Sequence, residues 1–158
     1  MYIEKQEFEK TVNDYSDIML RCAYVHCGNR TDAEDIVQEA FIKYLRKSPE
    51  FSDEEHKKAW LLRVVINLCK DLNKSFWRRK TVAVTIDPET ADNSMTHQGE
   101  VWDAVSRLPL KYRTVIDLYY NEDMTIEEIA QVIDRSKSTV CSLLKKARTL
   151  LKKQLEEN

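Results

Sequence analysis

The chain has 158 residues, 42% of them apolar and 33% charged, with 25 basic and 27 acidic side chains and a formal net charge of −2. That is the composition of a soluble globular protein of one domain or two small ones, and its two glycines, three prolines and scarce β-branched alternation point to an all-α fold. No apolar run approaches membrane-spanning length and no signal peptide opens the chain, so a cytoplasmic protein without direct membrane insertion is expected.

Taken in order, Phe8, Val12, Tyr15, Ile18, Met19, Cys22 and Val25 recur at three- and four-residue steps, which predicts an amphipathic helix from about Glu4 to Cys27, stopped by Gly28-Asn29. Thr31 with Glu34 reads as a capping box opening a second helix. Its inward face would be Ile36, Val37, Ala40, Phe41, Tyr44 and Leu45, and Ser48-Pro49 would close it. Asp32, Asp35, Gln38 and Glu39 are left outside; acids in a first turn complement the helix dipole, and no histidine is placed to complete a ligand set. Cys22, His26 and Cys27 lie within about a turn and a half of one helix, yet isolated cysteines are more commonly small core residues, and no CxxC pair suggests a zinc knuckle or a disulfide framework. Neither a metal nor a cofactor is expected.

A loop over Glu50–Lys58 leads into a long helix over residues 59–80, with Leu61, Leu62, Val65, Leu68 and Leu72 as its core stripe. Trp60, Arg63, Asn67, Lys70 and Lys74 line another face at spacings of three and four, and Phe76, Trp77, Arg78, Arg79 and Lys80 follow. A lone tryptophan on a helix is more commonly a core residue. Rings interleaved with cations are nevertheless what an unstacked base and its phosphates need: a π-face, an amide to read an edge, and positive charge along the backbone. Residues 81–99 lack helical periodicity and read as a linker, and over 81–100 there are four acids and no base. Two short helices, Glu100–Arg107 and Lys111–Tyr120, carry apolar Val101, Trp102, Val105, Leu108, Val115, Ile116, Leu118 and Tyr119.

From Thr125 to Lys153 the pattern is that of two helices joined by a tight turn. Thr125 and Glu128 form a capping box before Ile126, Ile129, Ala130 and Ile133; Asp134-Arg135 turns the chain through a left-handed residue; Ser136 caps a second helix from Lys137. Val140, Leu144, Ala147 and Leu151 form the inward stripe of that second helix. This is the grammar of a helix-turn-helix, with Ser136, Lys137, Ser138 and Thr139 at the leading end of the helix that would enter a major groove and Ser142 one turn further on. Between Arg135 and Lys153 there are seven bases, among them Lys145, Lys146 and Arg148, and no acid. Residues 63–80 make a second positive island, six bases to one acid, whereas residues 1–55 hold thirteen acids to seven bases. Two cationic islands in an acidic chain suit contact with nucleic acid at two places and a protein partner elsewhere.

Four stretches, DAEDIVQEAFIKYL (32–45), AWLLRVVINLCKDL (59–72), RLPLKYRTVIDLYY (107–120) and TIEEIAQVIDRSKSTVCSLLKKAR (125–148), separated by an acidic linker, resemble in order and spacing the bacterial sigma factors of the extracytoplasmic-function (ECF) group of the sigma-70 family. The resemblance implies two small helical domains, residues 1–80 and 99–158, joined by a linker over 81–98. It implies an alternative sigma factor that binds core RNA polymerase, reads two promoter elements and nucleates melting, without an active site. Asp32, Asp35, Gln38, Glu39 and Phe41 would dock on the clamp coiled coil of the largest polymerase subunit. The helix matching 59–74 and the loop before it would recognise the −10 element and capture a flipped base, with Asn67 at the pocket position and Trp60 and Arg63 holding the duplex edge. Lys137 to Lys146 would enter the −35 major groove, the linker would thread the RNA exit path, and an anti-sigma factor is an expected partner. Cys141 and Leu143 depart from the family, which usually has bases there.

Two other classes compete with this one. A stand-alone helix-turn-helix regulator has no need of the second basic and aromatic island at 60–80. A small helical enzyme using Asp32, Asp35 and Glu39 lacks a nucleophile with a base and an orienting group.

Overall fold

The computed structural model describes residues 3–72 in full, the backbone of 73–78, and residues 99–157. Every described element is helical: α1 (Lys5–Cys27), α2 (Arg30–Lys47), α3 (Glu54–Arg78), α4 (Glu100–Ser106), α5 (Leu110–Ile116), a π turn (Asp117–Asn121), α6 (Ile126–Ile133) and α7 (Lys137–Glu157). The chain divides into two compact units, Met1–Asp92 and Asn93–Asn158. The expected linker, 81–98, lies outside the described residues.

In the first unit α1 ends where Gly28 takes a left-handed conformation (φ 82°) and its N–H donates to the Tyr24 carbonyl at 2.8 Å. The cap of α2 is Asn29, not the Thr31–Glu34 box expected from sequence. The Asn29 side-chain oxygen accepts from the Asp32 N–H at 2.8 Å and its amide donates to the Asp32 carboxylate at 2.7 Å. With Asn29 immediately after the turn glycine, the helix starts earlier, and Glu34 pairs instead with Arg30 at 2.8 Å.

The expected loop over 50–58 is also shorter. Asp53 accepts the His56 N–H at 2.8 Å, Glu54 and Glu55 occupy the first turn, and α3 begins at Glu54.

These three helices bury Met19, Cys22 and Ala23 of α1, Ile36, Val37 and Ala40 of α2, and Leu61, Leu62, Val65, Ile66 and Cys69 of α3. A cluster of rings continues that core. The Tyr44 ring lies 6.4 Å from Phe8, 6.5 Å from Phe51 and 6.2 Å from Trp60, and Phe41 meets Phe8 edge-on at 6.0 Å. Each such pair contributes about 0.5–1.5 kcal/mol beyond the area it buries. Leu45, expected inside, is 41% exposed, because Tyr44 occupies the inward position and the next residue is turned about 100° away.

Inside this unit lies a charge that the sequence does not advertise. Lys57 is buried; its ammonium donates to Glu7 at 2.7 Å and sits 5.5 Å from the centre of the Tyr44 ring, joining the start of α3 to α1.

In the second unit α5 follows Pro109, whose missing N–H suits a helix start. The helix expected over Lys111–Tyr120 is α-helical only to Ile116, and residues 117–121 widen into a π turn. There the Glu122 N–H donates to the Asp117 carbonyl at 3.3 Å and the Asn121 amide to the Asp117 carboxylate at 2.7 Å. Leu108, Val115, Leu118, Ile129, Val132, Val140 and Leu144 fill the core.

The Glu7–Lys57 pair makes a pH-dependent contribution of known sign. The hydrogen bond from Lys57, and then its charge, hold the Glu7 carboxyl below the ordinary carboxylate range. The stabilisation is therefore complete at neutral pH and is lost as pH falls through the lowered folded-state value. Glu7→Gln, which leaves the buried Lys57 ammonium a neutral acceptor in place of a half-exposed carboxylate, is expected to cost about 1 kcal/mol at neutral pH. Denaturant melts of wild type and variant should converge as the solution is acidified through the carboxylate range.

Candidate nucleic-acid interface

In the second unit the two-helix motif forms as its residues dictate. The Thr125 hydroxyl accepts the Glu128 N–H at 3.1 Å, and the Glu128 carboxylate accepts the Thr125 N–H at 3.2 Å. α6 ends at Asp134, which adopts the left-handed conformation (φ 56°, ψ 53°), and the Ser136 hydroxyl then accepts the Thr139 N–H at 3.2 Å to start α7. Ile129, Ala130 and Val132 are buried against Val140, Leu144 and Ala147, while Ile126 and Ile133 stay half exposed.

That packing turns the remaining side of α7 outward. Ser136, Lys137, Ser138, Ser142, Lys145 and Lys146 are exposed and Thr139 is half exposed. Ser138, Thr139, Ser142, Leu143 and Lys146 border a cleft of about 310 Å³ with Tyr112 of α5. Lys137 is already engaged by Glu127 of α6 at 3.4 Å, and the Glu127 carboxyl is held below its usual range by its own backbone amide first and Lys137 second. Cys141 is exposed, whereas Leu143 is half buried.

Arg148, expected on the DNA-facing side, is exposed and held by two tyrosines. Its Nε donates to the Tyr120 hydroxyl at 2.7 Å, and its guanidinium stands 5.5 and 5.6 Å from the Tyr119 and Tyr120 ring centres. The stacking fixes it on the flank of α7, roughly 60° around the helix from Lys145 and roughly 160° from Lys146. It borders an apolar groove of about 500 Å³ that Val101, Trp102, Val105, Leu151 and Leu155 also line, and Val101 and Tyr120 are the exposed large apolar side chains there.

On the first unit, α3 shows two sides. The buried aliphatics and Cys69 occupy one; Asn67 and Lys70 are exposed on the other, with Arg63 and Trp60 half buried between them. Trp60 is held by Tyr44 and by Phe51 at 5.9 Å, so it belongs to the ring cluster and to the surface at once. The side chains of Lys74 and Arg78, and Arg79 altogether, lie outside the described residues.

Along α2, Asp35 and Gln38 are exposed and Asp32 and Glu39 half exposed. Phe41, expected on this docking surface, is instead turned into the core with 8% exposure because its ring packs on Phe8. The outward positions at that end belong to Ile42, which the sequence reading left unassigned, and Leu45, which it placed inside, 39% and 41% exposed. The signal was present: Asp35, Gln38, Ile42 and Leu45 fall on one stripe at three- and four-residue steps.

Among the described residues no group of three or more His, Cys, Asp or Glu is arranged to hold a metal. The His26 Nδ1–H donates to the Cys22 carbonyl at 2.6 Å, and the Cys27 sulfur faces Cys69.

Two helical units, one closed by a helix-turn-helix whose second helix exposes serines and lysines, are the architecture of a helix-turn-helix protein. The model of Sigma-70 region 2 matches residues 11–81 and that of Sigma-70, region 4 matches residues 98–151. The chain is 31% identical over 160 residues to the RNA polymerase sigma-E factor of Streptomyces antibioticus, covering 97% of this chain and 87% of that protein. It is 29% identical over 171 residues to the ECF RNA polymerase sigma factor SigW of Bacillus subtilis (strain 168), covering 98% and 91%. The chain belongs to the ECF group of the sigma-70 family of RNA polymerase sigma factors. Its fold is shared with the sigma factor RpoE of Bartonella quintana, solved with the anti-sigma factor NepR (TM-score 0.72, 21% identity, 96% of this chain and 98% of that one). It is shared also with CnrH, solved with the cytosolic domain of CnrY (TM-score 0.71, 23% identity, 98% and 91%).

The turn between α6 and α7 sets how α7 is presented, and Asp134 bears its strain. Replacing it by glycine, which enters the left-handed region without a Cβ clash, is expected to stabilise the chain by about 0.5 kcal/mol, whereas Asp134→Val should cost about 1–2 kcal/mol. Thermal melts of the full chain check both signs.

Proposed function

We propose that this sigma factor engages its promoter through two separate faces, one for an opened strand on α3 and one for duplex on α7, within functional domains spanning 1–80 and 99–158 and a linker over 81–98. The observation that carries the reading is the outward side of α3, where Asn67 and Lys70 are exposed and Arg63 and Trp60 half exposed while the opposite side is sealed in the core. A regulator that binds only duplex has no use for such a face.

In this reading Asn67 offers an amide to the edge of an unstacked base at the −10 element. Trp60 holds the boundary of the duplex, and Arg63, Lys70, Lys74, Arg78 and Arg79 follow the backbone. The shorter loop before α3 leaves fewer backbone groups for the base than a loop to residue 58 would, so the helix itself carries more of the contact. Ser136, Lys137, Ser138, Thr139, Ser142, Lys145 and Lys146 address the −35 major groove, with serine hydroxyls reaching base edges and lysines reaching phosphates. Arg148 acts behind that surface, bracing α7 against the π turn. The acidic and polar outer stripe of α2, Asp32, Asp35, Gln38 and Glu39, extended by Ile42 and Leu45, docks on the clamp coiled coil of core polymerase. Phe41 supports that stripe from inside.

The apolar groove beside α4 offers a seat to an anti-sigma factor, the kind of partner with which RpoE was solved. Proteins of this family are DNA-binding initiation factors, generally without catalysis of their own. We assign this one to the cytoplasm, and among the described residues no helix is long and apolar enough to cross a membrane.

Run-off transcription with purified core polymerase is the direct test. Specific transcripts are expected only when this chain and core are both present, and tight specific duplex binding by the chain alone, with no transcript, would favour the stand-alone regulator. Asn67→Ala, at an exposed position where folding is spared, is expected to lower open-complex yield on duplex promoter by about tenfold, the worth of one good hydrogen-bonding contact to a base. Equal losses on duplex and on a pre-melted bubble are expected if Asn67 acts on the opened base, and full recovery on the bubble would sink the base-capture role.

A further inference from the structure

Two cysteines 42 positions apart in sequence meet in the first unit. The Sγ atoms of Cys27, the last residue of α1, and Cys69, midway along α3, are 3.6 Å apart, close to van der Waals contact. Cys69 is fully buried, whereas Cys27 is half buried and reachable from solvent. The neighbouring Cys22 is turned elsewhere, with its sulfur 4.0 Å from His26 Nδ1. Gly28, directly after Cys27, has no atom within 4 Å of where a Cβ would stand, so the end of α1 has room to adjust. A disulfide needs the sulfurs to close to about 2.05 Å, a movement that rotation of the two side chains and a small shift of this terminal turn can supply.

We propose that Cys27 and Cys69 are an oxidation site, a thiol pair that a hydroperoxide converts to an intramolecular disulfide. Cys27 is the attacking sulfur because it alone of the two can be reached. Its thiolate attacks the outer oxygen of the peroxide, the O–O bond breaks, the alcohol or water leaves with the thiol's proton, and Cys27 becomes a sulfenic acid. The Cys69 sulfur then attacks the Cys27 sulfur, the S–O bond breaks and water leaves with the second thiol's proton. In total two thiols lose two electrons to the peroxide, which is reduced to an alcohol, or to water, and one further water. The bond ties the end of α1 to the turn of α3 that presents Asn67 and Lys70 on its other side. It constrains the unfolded chain by closing the loop that contains the whole of α2. The site is independent of the promoter roles assigned above.

The test uses the full reduced chain and hydrogen peroxide. One equivalent should remove one hydrogen from each of two sulfurs by intact mass, yield a crosslinked peptide pair joining residues 22–30 to 64–70 after trypsin, and raise the thermal midpoint by about 5 °C or more, all reversed by a thiol reductant. Cys27→Ser should abolish the crosslink, while Cys22→Ser should leave it in place. In Cys69→Ser the sulfenic acid on Cys27 should persist and be trapped by dimedone. A crosslink that survives Cys27→Ser, oxidation of Cys27 to sulfinic acid with no crosslink, or disulfide formation only between molecules through Cys141 would each overturn the assignment.

Discussion

The rotation of α3 about its own axis is the constraint on which the rest of the first unit depends. Leu61, Leu62, Val65, Ile66 and Cys69 are all sealed from water, and each large aliphatic among them contributes about 1.5–3 kcal/mol by leaving it. A turn of one residue step, about 100°, would expose several of them together and bury Asn67 or Lys70 in their place, a loss comparable with the whole stability of a small domain. The polar face is consequently fixed in direction by the packing of the opposite side. α7 obeys the same logic in the second unit, where Val140, Leu144 and Ala147 hold the serines and lysines outward.

Around that frame the ring cluster settles how α2 and α3 meet. Tyr44 touches Phe8, Phe51 and Trp60, so one side chain of α2 links α1, the loop and α3. Because Phe41 and Tyr44 are both drawn inward, Ile42 and Leu45 are forced out, and a helix that reads as acidic outside acquires an apolar end. A mixed surface of that kind suits a protein partner better than an acidic face would, since charge steers the encounter and the apolar part supplies area once water is expelled.

Where periodicity and capping chemistry are local and strong, the amino-acid sequence was a faithful guide. Thr125, Glu128, Asp134 and Ser136 each do what their side chains predict, because those hydrogen bonds are made within four residues. The outward positions of Asn67 and Lys70 on one helix and of Lys145 and Lys146 on another were also readable; the function proposed for them came from resemblance to a family. What local reasoning missed depends on distant partners. Asp53 starts α3 five residues early in a stretch, EFSDEEHKK, that has no apolar rhythm, and Lys57 within it is buried only because Glu7 and Tyr44 await it. Arg148 belongs to a basic run in sequence and to Tyr119 and Tyr120 in space. The Thr31 box failed for a simpler reason, since Asn29 stood nearer the turn and captured the helix start.

The π turn at Asp117–Asn121 shows how a helix carries one residue too many. A wide turn is an α-helix that has absorbed one surplus residue without lengthening by a full step. It is a slack joint: the surplus residue is carried in the width of the turn, where the Glu122 N–H reaches back five residues to the Asp117 carbonyl. The two adjacent tyrosines that swing out of this joint meet the guanidinium of α7, so the slack is taken up by a stack of rings and a cation in place of regular backbone pairing.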